Sequence, residues 1–263
     1  MIGALIGDIV GSRFEFNNYR KKDFNLFDST CTFTDDSLMT LAIANSLIVC
    51  NKDYSNLSEI ATINMVDIGR RYPGRGYGSA FSVWLETSKQ KPYNSFGNGA
   101  AMRVSPCAYV AKTLEEAKEL SYKVTKVSHN HPEGIKGAEA TTVAIYMALH
   151  GSTIAEIRDV INKKYYDLNF TLDQIRDSYK FNETCQETVP QAIVAFLEST
   201  SFEDAIRNAI SIGGDSDTLA AITGGIAQAY YGIPENIKNK TLSYLDKDLL
   251  QIVLEFEDMI SNK

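Results

Sequence analysis

The run Gly213-Gly214-Asp215-Ser216-Asp217-Thr218 opens a stretch, 218–231, in which apolar residues recur at three- and four-residue spacing, the period of a helix. A second acidic run, Thr34-Asp35-Asp36, stands at the head of a similar stretch, 36–49. Each half by itself also reads as an ordinary helix N-cap, because Thr or Asp before an apolar run satisfies the first turn. One cap needs one oxygen, whereas the downstream run brings Asp, Ser, Asp and Thr on a flexible Gly-Gly approach. Together the two runs offer oxygen ligands only, from Asp35, Asp36, Asp215, Asp217 and the hydroxyls of Thr34 and Thr218. That set suits Mg²⁺, Mn²⁺ or Ca²⁺, since a transition metal would want His or Cys. Carboxylates facing one cavity repel unless cations neutralise them, so the pattern predicts a metal site split between two helix starts. It is not an EF-hand: the alternate position after Asp217 is Leu219, and no later Glu completes such a loop.

Working outward, the helical period recurs over 57–70, 114–127, 133–149, 154–164, 202–210 and 249–260, while alternating strand-like runs are missing. The expected fold class is all-α. Capping boxes mark helix starts at Thr113 with Glu116 and at Thr153 with Glu156, and Ser201 with Asp204 is a weaker variant. Gly3, Gly7 and Gly11 share one helix face and predict a tightly packed core helix. Two stretches resist helical assignment: 17–33, which carries Arg20-Lys21-Lys22, and 72–98, punctuated by Pro73, Gly74, Gly76, Gly78, Pro92 and Gly97. The stretch 249–260 is acidic on one side and apolar on the other, which predicts docking onto the chain's own core.

With 263 residues, 44% hydrophobic and 22% charged, and with no Pro- or Ser-rich linker, the chain reads as a single domain over 1–263. A net charge of −7 argues against duplex nucleic acid, whose binding needs a basic face. Cys31, Cys50, Cys107 and Cys185 are widely spaced without a CxxC pair and read as unpaired thiols of a reducing compartment. The apolar run 2–10 is interrupted by Gly3, Gly7 and Asp8 and is far shorter than the ~20 residues of a membrane span. A cytoplasmic monomer without membrane association is the expectation.

Three further constellations bear on chemistry. The run Asn94-Ser95-Phe96-Gly97-Asn98-Gly99-Ala100 leads into a helix start, where free backbone N–H groups suit an anion such as a diphosphate; a plain capped turn is the alternative. Gly74-Arg75-Gly76-Tyr77-Gly78 lacks the spacing and the preceding strand of a dinucleotide loop. Ser128-His129-Asn130-His131-Pro132 sets two histidines before a helix start at Pro132, too few nitrogen ligands for zinc. Asp8 and Glu15 flank the Gly11-Ser12-Arg13 turn, where an acid beside a metal cavity orients a water or a sugar hydroxyl unless it is simply solvated.

In their order along the chain these motifs resemble the ADP-ribosylglycohydrolase family. The resemblance is carried by Gly3-Ala4-Leu5-Ile6-Gly7-Asp8-Ile9-Val10-Gly11 with Glu15, by Phe33-Thr34-Asp35-Asp36-Ser37, by Gly97-Asn98-Gly99-Ala100-Ala101-Met102-Arg103, by Ser128-His129, and by Gly213 to Ala220. It implies a compact orthogonal all-α bundle with two Mg²⁺ ions, Mn²⁺ being the alternative, in a central cleft and held by Thr34, Asp35, Asp36, Asp215, Asp217 and Thr218. It further implies that Ser95, Phe96, Gly97 and Asn98 hold the diphosphate and distal ribose of ADP-ribose and that His129 lines that pocket. Glu15 matches an acidic residue that some members place on a mobile flap, and the 74–78 loop would cover the phosphates. The implied reaction is metal-dependent hydrolysis of the bond between ADP-ribose and an acceptor, with Glu15, Asp36 and Asp215 as the catalytic acids. The substrate would be an ADP-ribosylated protein, on arginine or serine, or a small ADP-ribosyl conjugate. Two other readings stay open: a non-catalytic ADP-ribose-binding or crystallin-like structural relative, and a Mg²⁺ phosphohydrolase.

Overall fold

In the computed structural model, which describes residues 1–262, helices follow one another in the order α1 (Ile2–Gly11), α2 (Asp35–Cys50), α3 (Leu57–Arg71), α4 (Ser79–Glu86), α5 (Gly99–Met102), α6 (Ser105–Val110), α7 (Leu114–Thr125) and α8 (Pro132–Leu149). The second half contributes α9 (Ile154–Lys164), α10 (Leu172–Ile175), α11 (Cys185–Leu197), α12 (Phe202–Ile210), α13 (Ser216–Tyr231), α14 (Glu235–Leu242) and α15 (Lys247–Ser261). Among the described residues the β-type pairing is one isolated antiparallel bridge, Gly97 with Thr184. The fold is all-α.

The bundle is organised around α13, whose first twelve residues are buried and which packs against α1, α8, α11 and α12. Every residue of α1 is buried as well. The two helices approach backbone to backbone because of the glycine face: a Cβ on Gly3 would strike the carbonyl of Gly224, one on Gly7 that of Ala220, and one on Gly11 would lie 2.6 Å from the Asp217 Cα. This is the close-packed core helix that the four-residue glycine spacing predicts. It also carries the end of α1 to the start of α13.

All eight helices expected from periodicity are present, with ends shifted by a few residues. The last begins at Lys247 because Asp246 caps it, accepting from the N–H groups of Asp248 and Leu249. It docks on α2 through buried Leu249, Ile252, Val253 and Phe256, as its apolar face predicts. Thr153 and Glu156 form the reciprocal box. Thr113 and Ser201 make only their own half of it, since the Glu116 carboxylate accepts instead from Lys112 N and that of Asp204 from Thr200 N.

Two expectations need correction. The stretch 72–98 is not all loop: α4 lies within it, and its buried Phe81, Trp84 and Leu85 recur at the helical period over only eight residues. The buried helix α11 escapes the sequence reading because Pro190, which lacks a donor, stands inside it. The stretch 17–33 is free of helix, as expected. The basic run there is not an open patch at Arg20, whose guanidinium donates to the carbonyls of Ile212 and Tyr179, both at 2.6 Å, and of Arg176. Arg20 thereby ties this loop to the approach to Gly213. All four cysteines are buried and unpaired. No helix among the described residues is long and apolar enough to cross a membrane.

Candidate functional site

The site is built where the N-termini of α2 and α13 meet the end of α1. Thr34 caps α2 with its side-chain oxygen, 3.3 Å from Asp36 N. Behind it lies Asp8, with no exposed surface, whose Oδ1 accepts from Thr34 Oγ1 (2.6 Å) and whose Oδ2 accepts from Thr34 N (2.9 Å) and Ser37 N (3.0 Å). A buried carboxylate of α1 thus fastens the head of α2, and burial pushes its pKa up against the pull of those hydrogen bonds. Asp8 is therefore not a solvated acid. The signal for it was an acid inside an otherwise apolar, glycine-faced helix.

The metal ligands expected from the two acidic runs converge. Asp8, Asp36 and Asp217 place carboxylate oxygens within 4.8 Å of one another, and so do Glu15, Asp215 and Asp217. Thr218 Oγ1 donates to Asp36 Oδ2 at 3.2 Å, while Asp36 Oδ1 is buried and has no partner. Burial, followed by the charges of Asp8, Asp35 and Asp215, raises the Asp36 pKa well above the carboxylate range. Burial with Asp8, Asp215 and Glu15 raises Asp35, and burial with Asp215 and Asp36 raises Asp217. Glu15, half-buried, is pushed up to about 7 by burial and by Asp215, Asp8 and Glu183. So many acids in one buried place must share either protons or cations.

The donor set fits a hard cation. An acceptor oxygen left bare in the interior is costly unless something completes it, and Asp36 Oδ1 is such an atom. Thr34 Oγ1 gives its proton to Asp8 and keeps a lone pair, so it too can serve as a ligand.

Above these acids opens a cleft of about 820 Å³, its mouth included. Asp35, Asp36, Asp215, Asp217, Thr218 and Glu15 form one wall, and Ser95, Gly97, Asn98 and His129 form another. Asn98 Nδ2 donates to Asp215 Oδ2 at 2.7 Å and to Thr188 Oγ1 at 3.2 Å, so its amide orients a candidate ligand carboxylate. Of the N–H donors expected to be free on this turn, four are already bonded. Gly97 N donates to Ser95 Oγ, Asn98 N to Glu183 O, Ala100 N to Gly97 O and Ala101 N to Asn98 O. The helix behind them, α5, is a single turn. Phe96 lies between two lining residues but is itself 42% exposed, its ring 5.2 Å from that of His131.

His129 is held neutral, its pKa well below the usual value because of burial and then the Arg103 charge. Buried Arg103 donates from Nη2 to Ser128 Oγ at 2.8 Å, and that oxygen lies 2.8 Å from His129 Nδ1. Because arginine only donates, the Ser128 hydroxyl accepts from Arg103 and joins it to His129 Nδ1, while Nε2 lies beside Gly97 and Gly99. Neutral His129 lines the same cleft as the acids. Sequence reasoning missed Arg103 in this role, and missed Glu183, a lining residue with no motif around it.

The 74–78 loop forms part of the cleft through Gly76 and Gly78. Arg75 O accepts from Asp35 N at 2.7 Å, and a Cβ on Gly76, where φ is +95°, would lie 2.9 Å from Asp35 Oδ1. This loop sets the position of Asp35.

Comparison with known proteins gives the family and the fold. The family model described as ADP-ribosylglycohydrolase matches residues 1–262. The chain is 24% identical to human ADP-ribosylhydrolase ARH3, with 95% of this chain and 90% of that protein covered. It is 27% identical to ADP-ribosylarginine hydrolase Tri1 of Pseudomonas putida (strain GB-1), covering 89% of this chain and 70% of that one. It is also 27% identical to the ADP-ribosyl-[dinitrogen reductase] glycohydrolase of Rhodospirillum rubrum, with 93% and 88% covered. A solved chain described as an ADP-ribosylglycohydrolase-related protein complex superposes with a TM-score of 0.72 over 98% of this chain and 97% of its own, at 20% identity, which shows the shared fold.

Proposed function

Given that the chain belongs to the ADP-ribosylglycohydrolase family, a family of enzymes, we propose that it is a Mg²⁺-dependent hydrolase that releases ADP-ribose from an acceptor on a protein side chain or a small conjugate. The observation that carries this reading is the convergence of both acidic runs on one cleft, with Asp36 Oδ1 buried and bare. Thr34, Asp35, Asp36, Asp215, Asp217 and Thr218 would hold two Mg²⁺ ions, with Mn²⁺ as the alternative. Those ions, when bound, supply Lewis acidity that orients ribose hydroxyls and acidifies a water.

The chain's own residues do the rest. Asn98 holds Asp215 in place, and Asp8 holds Thr34 and the head of α2. Glu15, with a pKa near neutrality in the metal-free protein, is suited to take a proton from water and return it to the leaving acceptor. Asp36 is the second acid for that exchange. In the balanced reaction, water oxygen bonds to the anomeric carbon, the bond to the acceptor breaks, and the acceptor leaves with a proton. Ser95, Phe96, Gly97, Asn98 and His129 are assigned to the ADP-ribose side, His129 as a neutral imidazole.

The test is to incubate the protein with arginine-linked and serine-linked ADP-ribosyl peptides, with Mg²⁺ or with a chelator, and identify the released nucleotide by mass. Metal-dependent ADP-ribose release is expected, falling ~10²-fold or more in Asp215→Asn. AMP as product would show a phosphohydrolase instead. Tight ADP-ribose binding with no product from either peptide would take both side-chain linkages off the list and leave a small ADP-ribosyl conjugate as substrate or a binding protein.

A further inference from the structure

Glu15 stands just past the 3₁₀ turn Ser12–Phe14 that follows α1, on a stretch with no helix to hold it. One side chain fastens its backbone. Asn18 Nδ2 donates to the carbonyls of Phe14 (2.8 Å), Glu15 (3.0 Å) and Gly214 (2.9 Å), and Asn18 Oδ1 accepts from Gly214 N (2.9 Å). Two amide protons thus serve three carbonyls, and the amide oxygen serves the one donor. Gripping Gly214 by both its N–H and its C=O takes a primary amide, since a carboxylate cannot donate and a hydroxyl carries a single proton. Gly214 holds this position at a φ of +77°, and a Cβ there would lie 2.3 Å from Tyr179 Cε1.

Gly214 immediately precedes Asp215, so the grip joins the backbone of Glu15 to the head of α13. There Glu15, Asp215 and Asp217 bring carboxylate oxygens within 4.8 Å of one another. The two aspartates have supports of their own. Asn98 Nδ2 donates to Asp215 Oδ2 at 2.7 Å, and Asp217 Oδ1 accepts from Thr218 N at 3.0 Å. Glu15 is the acid whose place depends on the turn. The neighbouring ring of Phe16 stacks on that of Phe181, but this contact lies between exposed side chains and leaves the Glu15 carbonyl to Asn18. Asn18 itself is exposed and lies in none of the motifs.

We propose that Asn18 is a positioning residue that holds Glu15 against Asp215 and Asp217, so that the acid assigned to proton transfer is in place before substrate arrives. This rests on the hydrolase reading above and adds to it a residue that touches neither substrate nor cation. Proton transfer needs the two partners at hydrogen-bond distance, and a displacement of ~1 Å caused away from the chemistry can cost ~10²-fold.

The test follows amide exchange at Gly214 by NMR in chelator, the Mg²⁺ Kd by calorimetry, and kcat and KM for arginine-linked and serine-linked ADP-ribosyl peptides with Mg²⁺. Asn18→Ala, Glu15→Gln and the double variant are compared with the unsubstituted chain. Because Asn18 is exposed, Asn18→Ala leaves the core intact and should shift Tm little. Exchange at Gly214 is expected to speed up about tenfold in Asn18→Ala, and kcat to fall between ~10- and ~10²-fold with KM and the Mg²⁺ Kd within about twofold. The double variant should be no slower than Glu15→Gln, because Asn18 acts through Glu15. Unchanged exchange at Gly214 overturns the grip. An unchanged kcat, a loss confined to KM or to Mg²⁺ affinity, or losses that multiply in the double variant would each show that Asn18 does not act by holding Glu15, with the hydrolase reading intact. If the unsubstituted chain releases ADP-ribose from neither peptide, the hydrolase reading fails for both side-chain linkages, and Asn18 loses its assigned role with it.

Discussion

Asp36 shows how one side chain reports on what the site needs: Oδ2 accepts from Thr218, and Oδ1 is buried with nothing to accept from. Around it Asp35, Asp36, Asp217 and Glu15 all have pKa values moved upward, first by burial and then by one another. A carboxyl whose pKa rises on folding holds its proton more tightly in the native state. Its contribution to stability is full below the unfolded value and is lost as pH rises through the folded one. For Glu15 that window runs from 4.5 to about 7. Metal-free protein should therefore melt at progressively lower temperature between pH 5 and pH 8. Saturating Mg²⁺ should flatten the trend, raising Tm more at pH 8 than at pH 6, since cation and proton compete for the same oxygens. Thermal melts in chelator across that range check it, and a Tm that climbs with pH would contradict the origin assigned to these shifts. The acids of Thr34-Asp35-Asp36 and Asp215-Ser216-Asp217 were legible in the sequence because they are contiguous. Asp8 was only half legible, because what it does depends on Thr34 and Ser37, 26 and 29 residues away.

Among the helices, the pair α1 and α13 decides whether the site exists. The two backbones touch along the glycine face, and the far end of that contact places Gly11 against Asp217. Gly7→Ala would drive a methyl into the Ala220 carbonyl, with helix backbone on both sides and no side chain to yield. The expected loss is at least about 1–3 kcal/mol, together with a smaller Mg²⁺-induced rise in Tm, because separating the helices draws Asp8 away from Asp217. A denaturant titration with and without Mg²⁺ measures both effects, and an unchanged Mg²⁺ response would show that the acidic centre does not depend on this contact. Helices with a long apolar stripe were readable from periodicity, which is a local property. The short α4 and the Pro-bearing α11 were not, since tertiary burial of Phe81, Trp84 and Leu85 and of nearly the whole of α11 overrides weak local signals.

For the whole molecule, the buried apolar residues form one core running from Met1 to Phe256. Light scattering should return a mass near the 29.2 kDa of one chain, and a dimer mass would place the expectation of a monomer in error. Period determined the all-α class, and the order of the motifs determined the family. These are properties of neighbours in the chain, so a sequence states them directly. Tertiary structure alone decided that Asn98 N is already bonded to Glu183, that the Asn98 amide serves Asp215, that Ser128 joins Arg103 to His129, and that Phe16 meets Phe181. Each of these depends on a partner far away in sequence, and a hydrogen bond or a ring contact depends on separation in space, which only the packing of α1, α2, α11 and α13 supplies.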